Sequence, residues 1–148
     1  MVFIMIEQDT IRLLRECDAG VKMGIDSIEE VLDDVQSELF KQILTDSCKE
    51  HKQLSTEIAN ELHRFCDEGK SPNPIAKGMS WIKTNMKLGM DDSDKTVACL
   101  MTDGCNMGVK SLSMYLNQYK AAEEKAKDIA KKLIAMEEKL AVDIRQFL

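Results

Sequence analysis

The spacing of apolar residues along this chain leaves few possible folds other than a bundle of helices. Near the N-terminus, apolar side chains recur at every third or fourth position, the period of one face of an α-helix: Ile11, Leu14, Cys17, Val21, Ile25, Ile28, Leu32 and Val35. Similar series fill most of the remaining chain. One Trp, two Tyr, four Phe and two Pro among 148 residues disfavour a sandwich or barrel of short strands. We therefore predict an all-α protein.

Four long helices and one shorter helix are predicted from these series and from the signals at their ends. Their approximate bounds are 9–35, 38–67, 74–88, 93–119 and 122–147. Asp9 or Thr10 is expected to cap the first helix, and Gly69 to mark the end of the second. Asn73-Pro74 is a start signal for the shorter helix. The length is that of about one domain, so residues 1–148 are expected to form a single four-helix-bundle domain.

The connections between these helices predict two helical hairpins joined by a long crossover. A short turn near Gln36 separates the first two long helices, and another near Ala121 separates the last two. A long helix of about 27 residues extends roughly 40 Å. The segment between the hairpins, which contains the 74–88 helix, is long enough to cover that distance. The third long helix is therefore expected to lie parallel to the second.

A nine-residue pattern, G-x-x-M-G-[IV]-x-S-[IL], occurs twice in the chain, starting at Gly20 and at Gly104. Each copy contains a second glycine four residues later, at Gly24 and Gly108. Glycine inside a helix costs up to about 1 kcal/mol relative to alanine, so these pairs call for a reason. The first interpretation is a close crossing of the first and third long helices. A homodimer contact is the second interpretation, and room for a bound ligand is the third.

Cys48 and His51 form the most chemically suggestive pair in the sequence. Together with His63 and Cys66 they look like a zinc motif in reverse. On one continuous helix, however, His51 and His63 lie about 18 Å apart and cannot bind the same metal ion. His51 falls on the apolar row of its helix, whereas His63 lies off that row and is expected at the surface.

Residues from the other helices could reach the level of His51. Folding the first hairpin back brings Cys17 near it, while Cys105 and Glu137 lie near the middle of the last two helices. These residues could form a mononuclear Cys/His/Glu site for zinc or iron. The favoured interpretation is a hydrogen-bonded core histidine among buried thiols, which behave as small apolar groups.

Composition and motifs exclude several function classes. The 20 basic and 26 acidic side chains give a net charge of −6, which disfavours binding to nucleic acid. The sequence contains no phosphate-binding loop, dinucleotide motif or nucleophilic triad. The apolar run at residues 1–6 is too short for a signal peptide or a membrane span. Five cysteines on helical segments indicate reduced thiols, as in a cytoplasm.

The two hairpins, the crossover and the repeat together resemble the ferritin-like four-helix bundle of ferritins and rubrerythrins. The phrases KMGIDSI and NMGV, around Met23 and Met107, are similar to those of an uncharacterised bacterial family of this type. The resemblance implies one Glu on each of long helices 1 and 3, and E-x-x-H on helices 2 and 4.

The chain departs from that di-iron pattern at nearly every position. Only His51 fits, with Cys48 in the place of its glutamate. Glu137 is followed three residues later by Leu140, and glycines stand where the first and third long helices would carry their glutamates. A di-iron site needs several carboxylates, so oxidase, peroxidase and iron-storage chemistry are not expected.

These observations favour a non-enzymatic, cytoplasmic bundle that associates with itself, as a dimer, or with a protein partner. We predict no cofactor, no nucleic acid and no membrane as partner. Two alternatives stay open. One is a metal- or thiol-dependent protein with zinc or iron at Cys48 and His51; the other is a bundle that binds a small ligand or haem between its helices.

Overall fold

The computed structural model describes residues 2–70 and 93–148, which fold into four long helices. Helix α1 spans Val2–Val31, α2 spans Glu38–His63, α3 spans Asp94–Gln118 and α4 spans Glu124–Asp143. A short 3₁₀ turn follows at Arg145–Phe147. These described residues contain no strand, which confirms the all-α prediction. The helix predicted over 74–88 lies outside the described residues.

The start of α1 differs from the prediction, because the helix continues through the apolar run to Val2. Thr10 is buried inside α1, where its hydroxyl donates to the Ile6 carbonyl at 2.6 Å and accepts from the Glu123 backbone N–H at 2.8 Å. The Asp9 carboxylate accepts from the Ala121 N–H at 3.0 Å. The prediction that Asp9 or Thr10 caps α1 is therefore wrong: both side chains instead bind the turn between α3 and α4.

At the other end of the bundle, serine side chains cap α2 and α3. The Ser37 hydroxyl accepts from the Phe40 N–H, and the Ser93 hydroxyl from the Thr96 N–H. The Asp94 carboxylate accepts from the backbone N–H groups of Gln36 and Ser37, at 2.8 and 2.9 Å. This carboxylate fastens the start of α3 to the α1–α2 turn, which lies where the sequence predicts it.

Three helices end four residues earlier than predicted. Helix α1 ends at Val31 rather than at 35. Helix α2 ends at His63 rather than at 67, because Cys66 adopts a left-handed backbone conformation with φ of 54° that a helix cannot contain. Helix α4 ends at Asp143 rather than at 147. The 3₁₀ turn that follows lets the ring of Phe147 stack on that of Phe40, with 4.4 Å between the ring centroids.

Side-chain contacts fix the directions of the helices. The guanidinium of Arg15, in the first half of α1, pairs with Asp67, just beyond α2, at 2.7 Å, so α1 and α2 are antiparallel. Helix α3 begins beside the α1–α2 turn, as the Asp94 contacts show, and the residues that follow it contact Asp9 near the start of α1. It therefore runs antiparallel to α1 and parallel to α2. Helix α4 packs against each of the other three.

The buried apolar side chains form two separate clusters. The first cluster lies at the end with the α1–α2 turn and includes Ile28, Phe40, Leu44, Cys48, Val97, Met101, Cys105, Leu140 and Ile144. The second cluster lies at the end with the α3–α4 turn and includes Leu13, Leu14, Cys17, Val21, Leu54, Ile58, Leu112, Ile129 and Leu133. All four helices contribute to both clusters. The level between them contains polar side chains.

None of the helices in residues 2–70 and 93–148 combines the length and the apolar character that crossing a membrane requires.

Candidate functional site: the central polar layer

Each helix contributes one residue to the level between the two clusters: Gly24 from α1, His51 from α2, Gly108 from α3 and Glu137 from α4. We call these four residues the central polar layer. His51 is 0% exposed and Glu137 is 8% exposed. Along α2, for example, Cys48 belongs to the first cluster and Leu54 to the second, so His51 stands at their boundary.

Both ring nitrogens of His51 are hydrogen-bonded. Nδ1 lies 2.7 Å from the Ser47 carbonyl oxygen, and because a carbonyl only accepts, Nδ1 carries a hydrogen. Nε2 lies 2.8 Å from Oε1 of Glu137. An ionised carboxylate also only accepts, so the same geometry makes Nε2 a donor and the ring an imidazolium. The buried histidine is thus oriented by its own helix and paired across the core with α4.

Opposing effects set the proton affinity of His51. Burial disfavours the charged ring and by itself lowers the pKa of His51. The hydrogen bond and the negative charge of Glu137, with smaller contributions from the Ser47 carbonyl and from Glu50, outweigh burial and raise the pKa above its ordinary value. The pair therefore keeps the proton between Nε2 and Oε1 to a higher pH than a free imidazole would.

One glycine of the repeat, Gly24, gives space to this pair. A Cβ atom added at Gly24 would lie 2.8 Å from Cδ2 and 3.0 Å from Nε2 of His51, closer than real Cβ contacts. One added at Gly108 would lie 3.7 Å from the Glu137 side chain, and one at Gly20 would lie 3.6 Å from Leu133. At Gly104 it would meet nothing within 4 Å. The atoms nearest to Gly24 and Gly108 belong to α2 and α4, rather than to a crossing of α1 with α3.

Of the predicted metal ligands, Glu137 contacts both His51 and Cys105. Burial raises the pKa of the Cys105 thiol well above its usual range. The negative charge of Glu137 and a hydrogen bond with it raise this pKa further. Cys48 lies in the first cluster and Cys17 in the second. Burial, with the charges of Glu16 and Asp18, raises the pKa of the Cys17 thiol to about 12. Thiols in such surroundings stay protonated and are poor nucleophiles and metal ligands.

The atoms of the layer that could bind a metal ion already form hydrogen bonds within the protein. While the Ser47 and Glu137 hydrogen bonds persist, neither nitrogen of His51 presents a free lone pair to a metal ion or a haem iron. Within the described ranges 2–70 and 93–148, no three His, Cys, Asp or Glu side chains are grouped so that they could hold a metal ion. His63 is exposed, as predicted, and so are the thiols of Cys66 and Cys99.

A second buried carboxylate, Asp18, was not anticipated from the sequence. It is 3% exposed, pairs with Lys22 at 2.7 Å and accepts from the Lys70 backbone N–H at 3.0 Å. Gly69, with φ of 88°, passes so close to Asp18 that a side chain there would collide with the carboxylate. The available signal was its position: Asp18 follows Leu14 by four residues and precedes Val21 by three, on the apolar face of α1.

The first turn of α1, residues 2–5, is the largest run of exposed apolar side chains in the described chain. Val2, Phe3, Ile4 and Met5 are 66%, 84%, 57% and 59% exposed. Consecutive residues point in directions about 100° apart around a helix, so these side chains cover every side of the turn. We call residues 2–5 the apolar first turn.

Comparisons with known proteins gave no match among models of protein families, curated proteins or solved structures.

Proposed function

We propose that this protein is a non-enzymatic helical bundle that binds a second copy of itself through the apolar first turn. The observation that carries the proposal is the exposure of four consecutive apolar side chains, from 57% to 84%. A helical turn that is apolar on all sides is typical of a buried helix. Two identical turns can pack against each other around a two-fold axis, so that each covers the facing side of the other.

The magnitudes support a reversible dimer. Full burial of an apolar side chain contributes about 1.5–3 kcal/mol. Two copies of the turn contain eight such side chains, so burial of about half of their area supplies about 6–12 kcal/mol. Association costs about 4–15 kcal/mol in lost translational and rotational freedom. Since the gain and the cost are similar, the dimer is expected to depend on protein concentration.

The chemistry of the core supports a non-enzymatic role. His51 and Glu137 are hydrogen-bonded to each other inside the bundle, and burial keeps the neighbouring Cys105 thiol protonated. These groups are hydrogen-bonded to each other within the fold. The five cysteines are all unpaired, which supports a reducing compartment such as the cytoplasm.

We also propose that the bundle is ferritin-like, with two hairpins and a crossover between α2 and α3. Support comes from the parallel direction of α2 and α3, which requires the chain between them to connect opposite ends of the bundle. Gly24 and Gly108 then occupy the level at which a di-iron protein would place glutamates. With one histidine and one carboxylate at that level, the chain keeps the architecture without the iron ligands.

Sedimentation equilibrium over a dilution series tests the proposed dimer. Wild type is expected to dimerise at micromolar concentration. The variant Phe3→Ser/Ile4→Ser is expected to be a monomer with an unchanged circular dichroism spectrum, because two of the enclosed side chains become polar. The matched control is Met114→Ser/Val142→Ser, which alters two apolar side chains elsewhere that are also more than half exposed, 58% and 51%, and is expected to dimerise like wild type. A monomeric wild type, or a dimer that survives Phe3→Ser/Ile4→Ser, would overturn the proposal.

A further inference from the structure

We propose that the central polar layer is a proton-controlled lock. The bundle stays closed while His51 and Glu137 share a proton, and it opens at this level when the proton leaves under alkaline conditions. This inference does not depend on self-association, because it concerns the inside of one chain.

The hydrogen bonds determine which proton can leave. The Ser47 carbonyl, 2.7 Å from Nδ1, keeps a hydrogen on that nitrogen, so deprotonation of the pair removes the proton between Nε2 and Glu137. Afterwards a nitrogen lone pair faces a carboxylate oxygen at 2.8 Å, with no hydrogen between them. Two acceptors at this distance repel each other, and the buried carboxylate loses the positive charge that balanced it, which is strongly unfavourable.

The packing leaves the ring no easy way to relieve this repulsion. On the α1 side, Gly24 approaches so closely that even an added Cβ atom would lie 2.8 Å from the ring. Turning the ring would break the Ser47 hydrogen bond, and His51 is 0% exposed, so water cannot reach the ring without movement of the surrounding helices. Relief therefore requires α2 and α4 to separate at the layer.

The surroundings of the pair explain why it keeps its proton at a pH where a free imidazole loses it. From α4 the imidazole faces Glu137, and on its own helix it is influenced by Glu50 and the Ser47 carbonyl. Both acidic side chains favour the protonated ring. The other two helices contribute neutral groups: Gly24 from α1, and from α3 Gly108 together with Cys105, whose thiol stays protonated.

A nuclear magnetic resonance titration of wild type tests the lock directly. The ring signals of the two histidines are assigned with the variant His63→Gln. His51 is expected to keep its Nε2 proton to a higher pH than a free imidazole, which titrates near about 6.5. Loss of the proton is expected to coincide with faster backbone amide exchange at Gly24, His51 and Glu137. After correction for base catalysis, the rate should rise about ten-fold per pH unit above the titration point.

Two variants separate the lock from a general effect of pH. In His51→Leu/Glu137→Leu the layer is apolar, and the additional alkaline increase in amide exchange is expected to disappear. In His63→Leu, which removes the exposed histidine instead, the increase is expected to persist. The proposal is overturned if His51 titrates as a free imidazole does, or if the pair loses its proton while exchange at the layer stays unchanged. It is also overturned if the double variant shows the same alkaline increase as wild type.

Discussion

At the scale of single residues, Gly24 determines how closely α1 approaches the paired side chains of α2 and α4. A Cβ atom at this position would collide with a ring that is held at both nitrogens, so the ring cannot yield easily. Gly104, which stands at the first glycine position of the repeat in α3, has open space around it. The two glycines therefore differ in role although the same pattern contains both.

Alanine substitution is expected to have opposite effects at these two glycines. Gly24→Ala should lower the free energy of unfolding by about 1–3 kcal/mol, because the new methyl group overpacks the layer. Gly104→Ala should raise it by about 0.5–1 kcal/mol, because alanine favours the helix and meets no neighbour. Urea unfolding followed by circular dichroism measures both effects. A stabilising Gly24→Ala would show that His51 can shift without cost.

Removing one member of the buried pair is expected to be more harmful than removing both. His51→Leu leaves the Glu137 carboxylate buried without its charged partner, and such losses cost about 3–5 kcal/mol. In His51→Leu/Glu137→Leu no charge remains, so the stability should return close to that of wild type or exceed it. A double-mutant cycle in urea quantifies this difference. Additive effects of the two single substitutions would contradict direct pairing.

At the scale of helices and turns, the start of α4 depends on a side chain that is distant in sequence. Glu123, the residue before α4, makes no capping hydrogen bond with its own side chain. Its backbone N–H is instead bound by the hydroxyl of Thr10, which is 1% exposed. The turn between α3 and α4 is therefore held from α1.

Thr10→Val should test this long-range contact, because valine keeps the shape of threonine and removes the hydroxyl. The Glu123 N–H then loses its acceptor, and the free energy of unfolding should fall by about 1–3 kcal/mol. Amide exchange should accelerate at Ala122 and Glu123 and stay unchanged at Phe40, on the opposite end of the bundle. Thr56→Val is a suitable control, since its exposed hydroxyl bonds only within α2, to the Lys52 carbonyl. Equal effects of the two substitutions would contradict the proposed role of Thr10.

The same contact shows where prediction from sequence succeeds for the helices and where it fails. The three-to-four-residue period reveals each long helix, because one face of every helix is buried. Helix ends are harder, since Asp and Thr bind backbone N–H groups equally well at a local cap and across the bundle, as Asp9 and Thr10 do here. The chain leaves the helical path of α2 at Cys66, which adopts a left-handed conformation. This conformation is typical of glycine, so a cysteine gives no indication of it in the sequence.

At the scale of the whole molecule, the central polar layer divides the core into two apolar clusters. The sequence indicates that His51 and Glu137 both lie on the inner side of their helices. It does not specify their direct contact, because that depends on the rotation and axial register of α2 relative to α4. A shift of one helical turn, about 5.4 Å, would separate Nε2 from Oε1 and leave both groups unpaired. The pairing is thus a property of the assembled bundle.

The distribution of thiols over the molecule provides a final prediction about how the bundle opens. Cys66 and Cys99 are exposed and should react with iodoacetamide in the folded protein. Cys17 and Cys105 are buried, and burial raises the pKa of both thiols, so they should react only when the structure around them opens. At neutral pH that opening is global unfolding, and both should be modified at the same slow rate.

Under alkaline conditions the two buried thiols should be modified at different rates. Cys105 lies beside Glu137, whereas Cys17 lies in the second cluster, so opening at the central polar layer exposes Cys105 first. Mass spectrometry of timed samples should therefore show modification of Cys105 ahead of Cys17 in wild type. In His51→Leu/Glu137→Leu, where no proton controls the layer, the two should again react together. Simultaneous modification in alkaline wild type would mean that the bundle opens as one unit, with the layer contributing only to its packing.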